Sequence, residues 1–68
     1  MKTADGHAIT EGMPVWDDNL DHGTVDLSEL NGRGMDAGWF YFIADDGERS
    51  MVNGERVCVR HPVTGHRA

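Results

Sequence analysis

The segment from Trp39 to Arg60 constrains the fold of this chain more than any other. It runs WFYFIADDGERSMVNGERVCVR, in which three apolar runs are separated by an Asp-Gly turn and an Asn-Gly turn. Such dipeptides between alternating apolar residues are the strongest short-range signal for a β-hairpin, because glycine adopts positive φ angles without a steric penalty. The segment therefore predicts a three-stranded antiparallel meander.

Two further strands are predicted upstream of the meander. The run GMPVW over 12–16 indicates a short strand, and Pro14 indicates that this strand lies at an edge or begins irregularly, because proline lacks the amide that a central strand donates. The run TVDLSEL over 24–30 alternates, with Val25 and Leu27 on one face, which is typical of a half-buried strand. The glycine-rich stretch 31–38 between this strand and Trp39 is expected to form an exposed, mobile loop.

Five strands in 68 residues predict a single all-β domain over 1–68, a small five-stranded SH3-like barrel built as an antiparallel meander. An open antiparallel sheet that pairs with a second copy is the alternative. The domain proper is expected over about 9–60, with a small hairpin around Asp5-Gly6 and a flexible tail over 61–68. The predicted core consists of apolar side chains on one face of the strands: Ile9, Met13, Val15, Val25, Leu27, Phe40, Phe42, Val52, Val57 and Val59.

The charge of the chain is uneven. The net charge is −6, yet residues 49–68 carry four arginines and only one acidic residue. An acidic protein repels phosphate backbones, so nucleic-acid binding is disfavoured. A basic patch for nucleic acid is nevertheless an alternative, and so is pairing of the same arginines with neighbouring carboxylates. The four arginines are Arg49, Arg56, Arg60 and Arg67.

The sequence predicts a soluble cytoplasmic protein. Cys58 is the single cysteine, so no disulfide forms within the chain, and one thiol suits a reducing compartment. The N-terminal run MKTADGHAIT lacks the apolar stretch of a signal peptide, and no apolar run approaches the ~20 residues of a membrane span.

Two resemblances follow from these strings. The order GMPVW, GTVDL, GWFYF and DDGERSMVNGERV resembles the SH3-like pattern of KOW and Tudor modules, with Gly12, Gly23 and Val25 at the fitting positions. The strings EGMPVWDDNLDHGTV and SMVNGERV are similar to small uncharacterised proteins of actinobacterial phages. The second resemblance implies a phage accessory protein acting in a host cell, and it carries no catalytic or binding residues with it.

The residues predict neither an enzyme nor a cofactor or metal site. His61 and His66 have a spacing seen in zinc sites, but no cysteine pair accompanies them. Cys58 with His61 suggests a nucleophile and base, yet residues three apart on a strand face opposite sides. The acidic run 17–21 lacks the spacing of a calcium loop, so a solvated turn is expected there.

The strongest candidate for function is an aromatic surface. If Phe40 and Phe42 face inward, alternation turns the residues between and beside them outward, and exposed aromatic patches are typical of protein interfaces. The expected contact residues are Trp16, Trp39, Tyr41 and Ile43. The main hypothesis is therefore a non-enzymatic protein–protein interaction module. Its partner is either another protein or a second copy of this chain.

Three alternatives remain open for the surface. Two are an aromatic cage formed by Trp16, Trp39 and Tyr41, and a KOW-like nucleic-acid module that uses the C-terminal arginines. The third is an acidic face that mimics DNA and captures a host protein. The acidic face would contain Asp17, Asp18, Asp21, Asp26 and Glu29.

Overall fold

The computed structural model describes residues 2–28 and 38–68. Four antiparallel strands form one open sheet, and each strand pairs with the next along the chain. Strand β1 spans Pro14–Trp16, β2 spans His22–Asp26, β3 spans Trp39–Ala44 and β4 spans Arg49–Asn53. The predicted all-β class is confirmed. Most of the glycine-rich stretch 31–38, together with Glu29, lies outside the described residues.

The turn between β3 and β4 forms where the Asp-Gly signal predicts it. Residues 45–47 make a three-residue connection, and Gly47 occupies the left-handed region with φ of 90°. The amide of Ala44 donates to the carbonyl of Glu48 at 2.8 Å, and the amide of Gly47 donates to the carbonyl of Ala44 at 2.8 Å. A three-residue loop that ends on a left-handed glycine is one of the common hairpin connections.

The core lies on the face of the sheet that alternation predicts. Phe40 and Phe42 are buried, and the register places Val25 opposite Phe42. Gly23 comes so close to Phe42 that a Cβ there would lie 2.6 Å from Cζ of that ring. The buried cluster contains Ile9, Val15, Val25, Phe40, Phe42 and Val57, with Met13, Leu27 and Val52 packed against it. This agrees with the predicted core, and Val59 is buried as well.

The chain after β4 does not continue as the fifth strand predicted over 55–60. The side chain of Asn53 accepts a hydrogen bond from the amide of Glu55 at 3.0 Å and thereby caps a 3-10 helix, Gly54–Arg56. Beyond this helix, Cys58 forms an isolated antiparallel bridge with Trp16 of β1. The Asn-Gly pair therefore begins a helical turn rather than a hairpin, and the chain crosses to the other edge of the sheet.

The predicted N-terminal hairpin is present and packs against the segment after the 3-10 helix. Lys2 and Ala8 form a bridge around the turn, and the amide of Ala4 donates to the carbonyl of Val57 at 2.8 Å. The carboxylate of Asp5 accepts hydrogen bonds from the amides of Val59 and Arg60. The hairpin is thus attached to a segment more than fifty residues away.

Residues 61–68, which were expected to form a flexible tail, fold back on the domain. Arg60 and Arg67 form an antiparallel bridge, and the amide of Ala68 donates to the carbonyl of Val59 at 2.8 Å. The amide of Gly65 donates to the carbonyl of His61 at the turn. Backbone hydrogen bonds of this kind need no apolar periodicity, which explains why the sequence pattern did not indicate them.

Candidate functional site: a groove along β4

The outward face of β3 carries the three residues that alternation predicts there. Trp39 is 43% exposed, whereas Tyr41 and Ile43 are half-buried. Across the hairpin, Tyr41 pairs with Met51 of β4, and Met51 is 48% exposed. The exposed apolar surface on this side of the sheet therefore belongs to Trp39 and Met51 more than to Tyr41 and Ile43.

Tyr41 is covered by a charged side chain. The guanidinium carbon of Arg49 lies 3.9 Å from the centroid of the Tyr41 ring, a cation–π contact. A nitrogen of Arg49 also lies 3.5 Å from the carboxylate of Asp26. Hydrogen bonds from Ser28, together with the charge of Arg49, lower the pKa of Asp26 and keep it ionised. The guanidinium of Arg49 thus covers one face of the Tyr41 ring, which reduces the surface that Tyr41 offers to a partner.

Trp16 lies in a separate cluster. Its ring meets His22 and His61 edge-on, each with a centroid distance of 4.9 Å. The Nδ1 atom of His22 is 2.8 Å from a carboxylate oxygen of Asp45, which orients that imidazole. Trp16 aligns with His22, beyond the Ala44 end of β3, whereas Trp39 begins the strand at its opposite end. Within the described residues, the ring contacts of Trp16 are with the two histidines, so Trp16, Trp39 and Tyr41 do not form a cage.

A groove of about 450 Å³ runs beside β4, and Trp39 lies in its wall. Its volume falls in the usual range for binding sites. The ion pair between Arg56 and Asp18, with a nitrogen–oxygen distance of 3.3 Å, joins the 3-10 helix to the loop after β1. The lining residues are Asp18, Trp39, Met51, Val52, Asn53, Glu55 and Arg56. We refer to this depression as the β4 groove.

Only part of the lining of the β4 groove follows from the sequence. The pattern predicts Trp39 as a contact residue and places Asp18 in an acidic face and Arg56 in a basic patch, but it does not single out Met51 or Glu55. A signal for Met51 was available, because a three-residue turn at 45–47 places Met51 opposite Tyr41, on the face that carries Trp39. The approach of Asp18 depends on the crossing of the chain after β4, for which no local pattern exists.

The four C-terminal arginines differ in the groups that they contact. Arg49 contacts Asp26 and Arg56 contacts Asp18, as expected if these cations pair with neighbouring carboxylates. Arg60 donates to the carbonyl of Gly65 at 3.2 Å, and it bridges through its backbone to Arg67. Two of the four cations are therefore already compensated by carboxylates.

The carboxylates of the predicted acidic face are largely engaged in the fold. The side chain of Asp17 accepts hydrogen bonds from the amides of Asn19 and Asp21, which closes the loop after β1. Asp18 and Asp26 face arginines. The two ion pairs reduce the uncompensated negative charge that the face presents.

Cys58 and His61 do not form a nucleophile–base pair. Burial raises the pKa of the Cys58 thiol, and the charge of Asp5 raises it further, so the reactive thiolate is disfavoured. The Nδ1 atom of His61 accepts hydrogen bonds from the amides of Val63 and Thr64, both at 3.1 Å. The imidazole therefore stabilises a turn.

Within residues 2–28 and 38–68, no group of three or more His, Cys, Asp or Glu side chains is arranged to hold a metal ion. In the same part of the chain, no helix has the length and apolar character required to cross a bilayer. Comparison of the chain with protein-family models, with curated proteins and with solved structures found no match.

Proposed function

We propose that this chain is a non-enzymatic protein–protein interaction module that holds a partner protein in the β4 groove. The observation that carries the proposal is that two large, exposed apolar side chains, Trp39 and Met51, line the same groove. Exposed apolar surface next to polar residues is typical of interfaces, and tryptophan is enriched among the residues that dominate binding energy. Trp39 and Met51 are the anchors, and Asp18, Glu55 and Arg56 form the polar rim.

The scaffold that we propose is a small SH3-like barrel. Two hydrogen bonds between Trp16 and Cys58, at 2.8 and 2.9 Å, support it because they continue the strand order beyond β1. A 3-10 helix between β4 and that bridge is consistent with the crossing that closes such a barrel. The phage-like strings in the sequence support an accessory role in the cytoplasm of a host cell.

Two observations support a role without catalysis. The raised pKa of Cys58 disfavours the thiolate that nucleophilic chemistry requires. The lowered pKa values of Asp5 and Asp26 come with hydrogen bonds that hold turns and segments together. Perturbed carboxylates of this kind stabilise the fold rather than transfer protons.

The test is affinity capture from host lysate, with the captured proteins quantified. We expect the double variant Trp39→Ala, Met51→Ala to lose a specific partner by roughly tenfold or more while remaining folded. The matched control is Val63→Ala, which removes an apolar side chain that is 79% exposed and does not line the groove. Equal recovery of the same proteins by the double variant and the control would show that the groove is not the contact surface.

The nucleic-acid and DNA-mimic alternatives have weaker support. Arg49 and Arg56 face carboxylates, and Asp18 and Asp26 are the carboxylates that they face. Binding to phosphates would weaken steeply as salt rises, so a salt titration with duplex DNA distinguishes that alternative from a mainly apolar contact.

A further inference from the structure

The hydrogen-bonding pattern of the β3–β4 ladder determines which backbone groups of β4 face outward. The amide of Ala44 donates to the carbonyl of Glu48, and the amide of Gly54 donates to the carbonyl of Gly38, so bonded pairs stand at both ends of the ladder. Bonded and non-bonded pairs alternate in antiparallel sheets. The pair Tyr41–Met51 is therefore non-bonded, and the N–H and C=O of Met51 point away from β3.

Among the residues that the structure describes, no strand pairs with the outer side of β4. At the other edge, the amide and carbonyl of Trp16 in β1 are both bonded to Cys58. β4 is the last strand in the order, and within the described ranges Met51 has no backbone partner on its outer side. An edge of this kind is a template for pairing with another extended chain.

The β4 groove lies along this edge rather than over one face of the sheet. Met51 and Val52 both line it, although neighbouring residues of a strand point to opposite faces. A groove lined by neighbouring residues of β4 and by Glu55 and Arg56 beyond its end borders the strand near Met51. Its volume of about 450 Å³ provides room for a short extended segment beside Met51.

The charge around the edge favours a basic occupant. Glu48 directly precedes β4 and Glu55 follows it, and neither forms an ion pair within residues 2–28 and 38–68. The cations at the same ends, Arg49 and Arg56, each face a carboxylate. A second copy of this chain would bring another net charge of −6 to the edge, and the repulsion opposes self-pairing.

We propose that the partner supplies an extended, basic segment that pairs with β4 at Met51 as an added strand. The inference rests on the proposed function, since it names the part of the partner that enters the β4 groove. The backbone of the segment exchanges two hydrogen bonds with Met51. Its apolar side chains contact Met51 and Trp39, and its lysines or arginines lie near Glu48 and Glu55.

The test uses a synthetic peptide of about seven residues in which lysine alternates with valine, with a glutamate–valine peptide as the charge control. Binding to the full chain is followed by NMR, with the exchange rate of the Met51 amide as the direct readout. We expect the lysine peptide to bind, to slow exchange at Met51, and to bind less tightly as salt is raised from about 50 to about 500 mM. The glutamate peptide is expected not to bind.

Two variants separate the edge from the groove. Met51→Pro removes the outward amide together with the side chain, and Met51→Ala removes the side chain but keeps the amide; we expect roughly tenfold weaker binding for the first than for the second. If Met51→Pro fails to fold, a lysine peptide methylated on alternate amide nitrogens replaces it and is expected not to bind. Full binding by either overturns edge pairing.

The remaining outcomes distinguish the two proposals. If Trp39→Ala weakens binding and Met51→Pro binds as well as Met51→Ala, the groove stands and the added strand is wrong. If none of these changes affects binding of the lysine peptide, both proposals are wrong. Absence of lysine-peptide binding to the folded chain overturns the basic strand. Self-association that Met51→Pro abolishes would assign the edge to a second copy instead.

Discussion

The carboxylate of Asp5 accepts the backbone amide of Val59, with both oxygens 3.1 Å from the nitrogen. It also accepts a hydrogen bond from the amide of Arg60 at 3.0 Å and another from the hydroxyl of Thr3. One side chain in the N-terminal hairpin thus organises the segment that follows the 3-10 helix. Because Val59 is buried, loss of this acceptor leaves an amide of the domain interior without its partner.

Replacement of Asp5 by asparagine is expected to destabilise the fold. Asparagine has the same shape, but it is neutral and has one acceptor oxygen where Asp5 uses two. We expect the free energy of unfolding to fall by about 1 to 2 kcal/mol in urea denaturation. Glu55→Gln is the control, because it makes the same change of charge at an exposed residue outside this network. Equal effects of the two substitutions would contradict the role of Asp5.

The same carboxylate predicts an acid-dependent loss of stability. Burial opposes ionisation of Asp5, but hydrogen bonds from Thr3, Arg60 and Val59 outweigh it and lower its pKa from 3.8 to about 2. The folded state therefore binds the proton less tightly than the unfolded state. The stability from Asp5 is fully present above pH 3.8 and is lost as the pH falls through about 2.

The expected loss is about 1 kcal/mol, because solvent screens a carboxylate that is largely exposed. The measurement is urea denaturation of the wild type and of Asp5→Asn across this range of pH. Asp26 also has a lowered pKa and contributes in the same direction in both proteins, so the difference between the two curves isolates Asp5. If the difference in unfolding free energy between the two proteins stays constant with pH, folding does not lower the pKa of Asp5.

Local pattern predicted β1, β3 and β4 well, whereas it began β2 two residues late, predicted a fifth strand where a 3-10 helix forms, and did not indicate the connections between distant segments. Alternation over 39–44 placed Phe40 and Phe42 in the core, and the Asp-Gly turn set the register of β4. The Asn-Gly pair was misassigned, because Asn53 can cap a 3-10 helix as readily as it can enter a hairpin turn. The contact of Asp5 with Val59, and that of Asp18 with Arg56, depend on tertiary closure and leave no periodic signal in the chain.

Substitution of His61 by alanine is expected to loosen the C-terminal turn and to expose Trp16. The imidazole of His61 packs edge-on against the indole of Trp16. Its Nδ1 atom accepts hydrogen bonds from the amides of Val63 and Thr64. Loss of the aromatic contact costs about 1 kcal/mol.

In a Trp39→Phe background, where Trp16 is the only tryptophan, we expect the fluorescence of His61→Ala to shift to longer wavelength. Faster hydrogen exchange at Ala68 is the second readout, since its amide donates to Val59. His7→Ala serves as the control, because His7 has no ring contact with Trp16. If neither the fluorescence nor the exchange rate changes, His61 does not hold the C-terminal turn, and residues 61–68 form the flexible tail expected from the sequence.

Gly23 is expected to tolerate no side chain. A Cβ at this position would collide with the carbonyl oxygen of Ile43 and would lie 2.6 Å from Cζ of Phe42. Neither neighbour can move freely, because one belongs to the β2–β3 ladder and the other is a buried ring. We expect Gly23→Ala to lower the free energy of unfolding by about 2 kcal/mol or more, measured by urea denaturation. Thr24→Ala, on the outward face of the same strand, is expected to cost less, and the opposite ranking would contradict this packing.

The thiol of Cys58 is expected to react slowly while the domain is folded. Burial raises its pKa, and the charge of Asp5 raises it further, so little thiolate is present at about pH 8. Because Cys58 is the only cysteine, the reaction with a disulfide reagent reports this one site. We expect a rate several-fold below that of the urea-unfolded chain, and a partial increase in folded Asp5→Asn, where the neighbouring charge is absent. Equal rates for the folded and unfolded chains would show that the fold does not protect the thiol.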